Sequence, residues 1–206
     1  MPKFSIIVPA YNSQDWIRHG LSTIAYQSYT DYELIVVCDR CEDGTASVAR
    51  QYTDKVFHCD FGNDGLTRNV GLDHATGEWI LFMDDDDWWL HEFAFRQISD
   101  KLDAYIDDPI DVLSFGFIFR HIGYAPPIRK TGAIWPNVWS KCWRRDFIGS
   151  ERFNNIHMAS DLDFTKRLVI QNHAQFVTLD MPLYYYNYMR PGSQTEVASN
   201  DSETVS

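Results

Sequence analysis

Long apolar runs are missing from this chain. The longest candidates, Phe4–Val8, Leu34–Cys38 and Trp79–Met83, have the length of a strand, far short of the roughly 20 residues a bilayer-crossing helix needs. The opening MPKFSIIVPAYN lacks the extended apolar stretch and small-residue cleavage site of a secretory signal, so a cytoplasmic protein is the expectation. Positive charge is scarce: 18 Lys and Arg stand against 29 Asp and Glu, a net charge of −11. That balance argues against a nucleic-acid partner, because a phosphate backbone needs a basic surface, and it weakens direct binding to anionic lipid. Cysteine is sparse too. Cys38 and Cys41 form one C-x-x-C with no second Cys or His pair to complete a zinc set, so they read as a strand-end thiol and a loop thiol. No G-x-G-x-x-G follows the first strand, and Walker-type and H-E-x-x-H motifs are absent. The seven histidines show no ligand spacing with one another.

What is present is a strand–helix alternation in 206 residues, of which 45 % are apolar, enough for one α/β domain with a real core. Phe4–Pro9 is an uncharged, β-branched strand. Asn12 or Ser13 is placed to cap a helix running to about Gln27, with Trp16, Ile17, Leu21 and Ile24 at helical spacing. Glu33–Cys38 reads as a strand, Thr45–Tyr52 as a helix, Lys55–His58 as a strand, Leu66–His74 as a helix ended by Thr76-Gly77, and Glu78–Met83 as a strand. Farther on, Leu90–Leu102, Trp139–Ile148 and Ala159–Ile170 read as helices. Asp111–Arg120, Phe176–Leu179 and Leu183–Tyr188 read as strands, with a loop at Ala125-Pro126-Pro127. The alternation predicts a mostly parallel central sheet flanked by helices. A domain over 1–192 is expected, with a polar tail from Ser193 to Ser206.

Ligands of such sheets sit beyond the carboxyl ends of the strands. Three chemically loaded segments, Pro9–Asn12, Asp39–Gly44 and Asp84–Asp87, follow three strands directly. The last is a run of four carboxylates. Two unit charges roughly 4 Å apart repel by about 4 kcal/mol at an effective dielectric of about 20. A hard cation, Mg²⁺ or Mn²⁺, is one compensation; a solvated acidic turn ahead of a helix is the other. If the chain stays extended there, Asp84 and Asp86 share a face and Asp85 points elsewhere.

Ser5-Ile6-Ile7-Val8-Pro9-Ala10-Tyr11-Asn12, Glu33–Val37, Asp39 with Asp43-Gly44-Thr45, Arg68-Asn69-Val70-Gly71-Leu72, Gly77–Ile80 and Asp84–Asp87-Trp88 together resemble the family 2 glycosyltransferases of the GT-A fold. The likeness spans roughly residues 3–190 and is densest in the first ninety. It implies a Rossmann-like GT-A domain and an inverting transferase. The enzyme would take a nucleoside-diphosphate sugar, a UDP-sugar by the family's commonest habit, with Mg²⁺ or Mn²⁺, and move the sugar to a hydroxyl of a glycan or lipid-linked saccharide. Alongside a cytoplasmic location, peripheral association with the inner face of the membrane is a further expectation.

By the same resemblance, Pro9, Ala10 and Tyr11 line the base and ribose pocket, and Asp39 hydrogen-bonds the base. The family has a second acid where Cys38 stands here, and glycine and serine where Arg40 and Cys41 stand. Arg68 falls near the diphosphate or ribose. The D-x-D-D motif falls on Asp84, Asp86 and Asp87, with Asp84 and Asp85 at the nucleotide sugar and Asp86 as metal ligand. The family's Glu-Asp pair, which carries the base, falls on Ser160 and Asp161, making Asp161 the base. Asp163 is a rival, but two positions apart on a helix the two side chains face different ways. Trp135, Trp139 and Trp143 are candidates to stack on an acceptor sugar, and Arg190–Ser193 to close over the donor. The rival readings are a non-catalytic nucleotide-sugar-binding module and a sugar nucleotidyltransferase. The latter would want a basic, glycine-rich first loop, which Pro9–Asn12 is not.

Overall fold

A computed structural model of the chain describes residues 1–129 and 132–189. Its strands are β1 (Phe4–Ala10), β2 (Tyr32–Asp39), β3 (Val56–Cys59), β4 (Trp79–Phe82), β5 (Trp88–Trp89), β6 (Val112–Phe119), β7 (Gly123–Ala125), β8 (Lys141–Arg144) and β9 (Phe176–Tyr186). The helices are α1 (Ile17–Ala25), α2 (Thr45–Ala49), α3 (Asp64–His74), α4 (Ala94–Asp103), α5 (Arg145–Ile148) and α6 (Ser160–Thr165), the last running into a π-helical turn, Lys166–Gln171.

The strands form one sheet in the order β3-β2-β1-β4-β8-β6-β9-β5, with β7 on the outside of β6. The first four are parallel, as the alternating sequence demands: β1 pairs with β2 from Phe4–Tyr32 to Ala10–Cys38 and with β4 from Phe4–Trp79 to Ile7–Phe82. Every residue of β1 and β4 is buried, because helices cover both faces of a sheet built from crossovers. Right-handed crossovers put α1 and α2 on one face and α3 on the other. The packing agrees: α1 touches α2 and β5, whereas α3 touches α6. Beyond β4 the sheet turns mixed, with β8 antiparallel to both β4 and β6, and β9 parallel to β6.

Four sequence expectations change. The first helix starts at Ile17, and neither Asn12 nor Ser13 caps it; the Asn12 carboxamide oxygen instead accepts from Glu42 N. Trp139–Ile148 is not one helix but the strand β8 followed by the short α5. Phe176–Leu179 and Leu183–Tyr188 are parts of a single strand, β9, whose register against β6 shifts around Gly116. Leu90–Leu102 contributes a helix only from Ala94. Among the described residues no helix is long and apolar enough to cross a membrane. The segment Arg190–Ser193 and the tail beyond it lie outside the described residues.

Candidate active site

The carboxyl ends of β1, β2 and β4 meet at one edge of the sheet. The loop after β1 is laced to the loop after β2. Ser13 N donates to Thr45 Oγ1 at 2.7 Å, the Asn12 side chain accepts from Glu42 N at 2.8 Å, and the Cys41 thiol donates to Ala10 O at 3.3 Å. Asn12 makes this turn at φ 43°, a left-handed conformation that asparagine tolerates better than most residues. Pro9 and Ala10 end β1 in the core, while the Tyr11 ring is 60 % exposed and open to a planar partner.

Asp39 closes the next side of the site. Its Oδ1 accepts from Phe61 N at 2.8 Å, and its Oδ2 from Asn63 N at 3.0 Å and Thr67 Oγ1 at 2.9 Å. Burial pushes this carboxyl up, but the backbone N–H groups of Gly62, Phe61 and Asn63 and the Thr67 hydroxyl outweigh it and hold the pKa below the ordinary range. Asp39 thus fixes the approach to α3, whose first turn Asn63 caps by accepting from Leu66 N at 2.9 Å.

On α3 the Arg68-Asn69-x-Gly71 motif divides into three tasks. Gly71 lies so close to β1 that an added Cβ would stand 2.3 Å from Ile7 Cγ2. Asn69 clamps the segment leading to α6 through paired bonds to Phe153 N and O, at 2.8 and 2.9 Å. Arg68, only 3 % exposed, gathers three carboxylates: Asp64 Oδ2 at 2.6 Å, Asp84 Oδ1 at 2.7 Å and Asp161 Oδ1 at 3.4 Å. Acids from α3, from the end of β4 and from α6 are therefore brought to one guanidinium.

The acidic run is not extended. Asp87 N donates to Asp84 O at 3.2 Å, closing a turn that sends the side chains apart. Asp84 goes to Arg68, and Asp85 Oδ2 accepts from Tyr11 N at 3.0 Å. Asp87 points into the core, where it accepts from Tyr184 Oη at 2.7 Å and Asn187 N at 2.8 Å. Burial, then the nearby Asp86 and Asp84 charges, push Asp87 well above the usual carboxylate range. The fourth acid of the D-x-D-D motif is thus a buried anchor and faces away from any ligand. Asp86 borders an open cleft of about 300 Å³ shared with Asp15, Trp16, His19 and Trp88. The turn sends these side chains to different partners, yet the Asp86 and Asp84 charges still act on Asp87.

Among the described residues no three Asp, Glu, His or Cys side chains converge as a ready-made metal cage. A Mg²⁺-type ion is commonly held by one or two carboxylates, with water and substrate phosphate completing its octahedron. Asp84, Asp85 and Asp86 stand in one turn at the strand-end edge and carry hard oxygen donors of the kind such an ion takes.

Asp161 is the second residue of α6, which Ser160 opens directly after Ala159 at φ 64°. Its Oδ2 accepts from Val138 N at 3.0 Å, while the buried Oδ1, although near Arg68, has no hydrogen-bond donor. Burial raises this carboxyl to about 6; Arg68 and the Val138 N–H pull it down, and Asp84 and Asp64 push it up. A carboxylate poised near neutrality suits proton abstraction. Asp163 is occupied elsewhere, by Asn154 at 2.9 Å and Arg167 at 3.0 Å, so only Asp161 joins the Arg68 cluster. Ser160, at the position of the family's glutamate, lies 3.3 Å from Asp64 Oδ2.

Two residues were missed by sequence reasoning. Asp64 carried a faint signal, since it stands one helical turn before Arg68 and in the first turn of its helix. Lys141 is fully buried, and burial lowers its ammonium to about 7 against the pull of Asp161. The tryptophan expectation is corrected. Trp139 and Trp143 are core residues, 4 % and 0 % exposed, with Trp139 stacked on Tyr184. Trp135 is half-buried, its indole N–H donating to Pro126 O while the Arg129 guanidinium lies 4.3 Å from its ring centroid.

The sequence profile of glycosyl transferase family 2 matches residues 5–169, and the chain belongs to that family. It is 38 % identical to the poly(ribitol-phosphate) β-N-acetylglucosaminyltransferase TarS of Staphylococcus aureus over 96 % of its own length and 38 % of that protein's. It is 32 % identical to the glycosyltransferase GlyA of Streptococcus pneumoniae over 95 % of this chain and 32 % of the relative. The chain thus spans about a third of the length of these relatives. In three dimensions it superposes on S. aureus TarS 1–349 in complex with UDP-GlcNAc with a TM-score of 0.81, at 25 % identity, covering 94 % of this chain and 60 % of that one. A mannosyltransferase of Pyrobaculum calidifontis, solved with GDP-Man and Mn²⁺, shares the fold at a TM-score of 0.71 and 20 % identity, over 93 % of this chain and 58 % of that one. The architecture is the GT-A fold.

Proposed function

We propose that the chain transfers a sugar from a nucleoside-diphosphate sugar, a UDP-sugar in the first instance, to a hydroxyl of a glycan or lipid-linked saccharide by a single inverting displacement. The observation that carries this reading is the convergence of Asp64, Asp84 and Asp161 on the buried Arg68. It ties the acidic turn after β4 to the one raised carboxylate on α6. Pro9, Ala10 and the exposed Tyr11 ring form the wall for the base, and Asp39 holds the Phe61–Asn63 backbone beside it. Asp161 accepts the proton of the acceptor hydroxyl as the new bond forms, and the carboxylate turns neutral as its raised pKa favours. Arg68 offsets part of the negative charge of the acids gathered around it and keeps Asp84 and Asp161 in register. A Mg²⁺ or Mn²⁺ ion would be held by Asp86 with Asp84 or Asp85 and would neutralise diphosphate charge.

A thermal-shift screen of UDP-, GDP- and dTDP-sugars with Mn²⁺ tests the donor assignment, because a ligand that binds only the folded state raises the melting temperature. A selective rise with one UDP-sugar, together with UDP release that disappears in Asp161→Asn, is the expected result. No stabilisation by any nucleotide, with or without metal, would sink the proposal.

A further inference from the structure

Lys141 is fully buried on β8, yet among the described residues no carboxylate forms an ion pair with it. Its ammonium instead folds back over the preceding segment, donating to Trp135 O at 2.6 Å and to Asn137 O at 2.5 Å. Burying an ammonium is costly unless oxygens replace its water, and a site needing only volume would be filled by methionine or leucine. Something is therefore gained from the charge where it stands. The segment it ties, 135–138, reaches the candidate base: Val138 N is the donor to Asp161 Oδ2 at 3.0 Å. Two further bonds fasten the segment from the other side, Thr165 Oγ1 to Pro136 O at 2.6 Å and Trp143 Nε1 to Val138 O at 3.1 Å. With the Trp135 and Asn137 carbonyls drawn to one ammonium, the N–H of Val138 is presented toward α6.

We propose that Lys141 is a positioning residue for the base: it shapes the 135–138 turn so that the Val138 N–H holds the Asp161 carboxylate in its productive orientation. The inference rests on the reading of Asp161 as the base. It goes beyond that reading by assigning the base's orientation to a fully buried side chain on a different element. Arg68 attracts Oδ1 by charge at 3.4 Å without a hydrogen bond, so the Val138 N–H on Oδ2 is the hydrogen bond that fixes the carboxylate's orientation.

The test uses the full chain with Mn²⁺ and UDP-GlcNAc as probe. UDP release to water gives kcat, and calorimetry gives the UDP dissociation constant. Lys141→Met keeps the volume and removes the cation; Lys141→Gln keeps one donor group and serves in its place should the methionine variant fail to fold. The expected result is a fall in kcat of tenfold or more with UDP affinity unchanged within twofold, and an intermediate value for Lys141→Gln. On an Asp161→Asn background the residual rate should not fall further, because a group that acts through another adds nothing once that other is gone. A kcat within twofold of wild type in a folded Lys141 variant, while Asp161→Asn is impaired, would overturn the positioning role alone. So would a parallel loss of UDP affinity, or losses that multiply in the double variant. Wild-type turnover by Asp161→Asn would instead remove the base, and this inference with it.

Discussion

The buried, raised carboxyl of Asp161 costs the fold stability once it ionises, and Asp161→Asn should expose that cost. Folding raises this carboxyl from 3.8 to about 6, chiefly through burial, with Asp84 and Asp64 adding repulsion; the value is already net of the pull from Arg68 and the Val138 N–H. The folded protein holds the proton more tightly than the unfolded chain does, so ionisation works against folding. Below pH 3.8 both states are protonated and there is no penalty. Between 3.8 and about 6 the unfolded chain ionises first and the penalty grows; above about 6 it is complete. At about 1.4 kcal/mol for each tenfold change in proton affinity, the full penalty is about 3 kcal/mol, trimmed toward about 2 because 23 % of the side chain reaches solvent. The asparagine variant should therefore be more stable than wild type at pH 8 by about 2–3 kcal/mol, or roughly 4–12 °C in melting temperature for a domain of this size. The advantage should vanish near pH 4. Urea unfolding at pH 4.5, 6 and 8, with EDTA and without nucleotide, measures it. A variant less stable than wild type at pH 8, or an offset independent of pH, would refute the reasoning.

Removing the Asp86 carboxylate as Asp86→Ala should abolish the Mn²⁺-dependent part of UDP binding while leaving the melting temperature of the unliganded protein within a few degrees; calorimetry with Mn²⁺ and with EDTA checks this. Asp39→Asn exchanges an acceptor oxygen for a donor facing Phe61 N, Asn63 N or Thr67, so at least one buried partner goes unsatisfied, at about 1–3 kcal/mol of unfolding free energy. Because folding lowers the Asp39 pKa, its contribution is present above 3.8 and is lost as pH falls through the folded value, so wild type and variant should converge in acid. Gly71→Ala would press a Cβ to 2.3 Å from Ile7 Cγ2; overpacking of this kind costs about 1–3 kcal/mol, readable as an earlier urea midpoint.

The parallel half of the sheet was legible because its strands are unbroken apolar runs and its turns are marked by Asn, Asp and Gly. The parallel sheet and the meeting of three strand ends follow from that pattern, whereas the order of the strands came from the structure. Legibility failed where periodicity is ambiguous. Lys141–Arg144 is buried on both faces and has no alternation, so its apolar neighbours looked helical. Asp180-Met181-Pro182 looked like a break in β9, yet a register shift against Gly116 carries the strand through it. Within the site, a motif gives residue types but not directions. Four adjacent aspartates could not reveal that one would turn into the core toward Tyr184, nor could Trp139 and Trp143 announce that they pack rather than present their faces. Asp64 and Lys141 escaped because their importance lies in partners far along the chain.

The anchoring of Asp87 has a consequence for how the molecule comes into being. Its two hydrogen-bond donors, Tyr184 and Asn187, lie 97 and 100 positions downstream, and β5 beside it finds its partner only in β9. During synthesis the parallel strands can collapse early, but the Asp87 side chain cannot be anchored until the ribosome has delivered nearly the whole described chain. Closing so long a loop is entropically slow. A nascent chain stalled before Tyr184 would leave the Asp87 carboxyl without both of the donors that hold it in the folded domain.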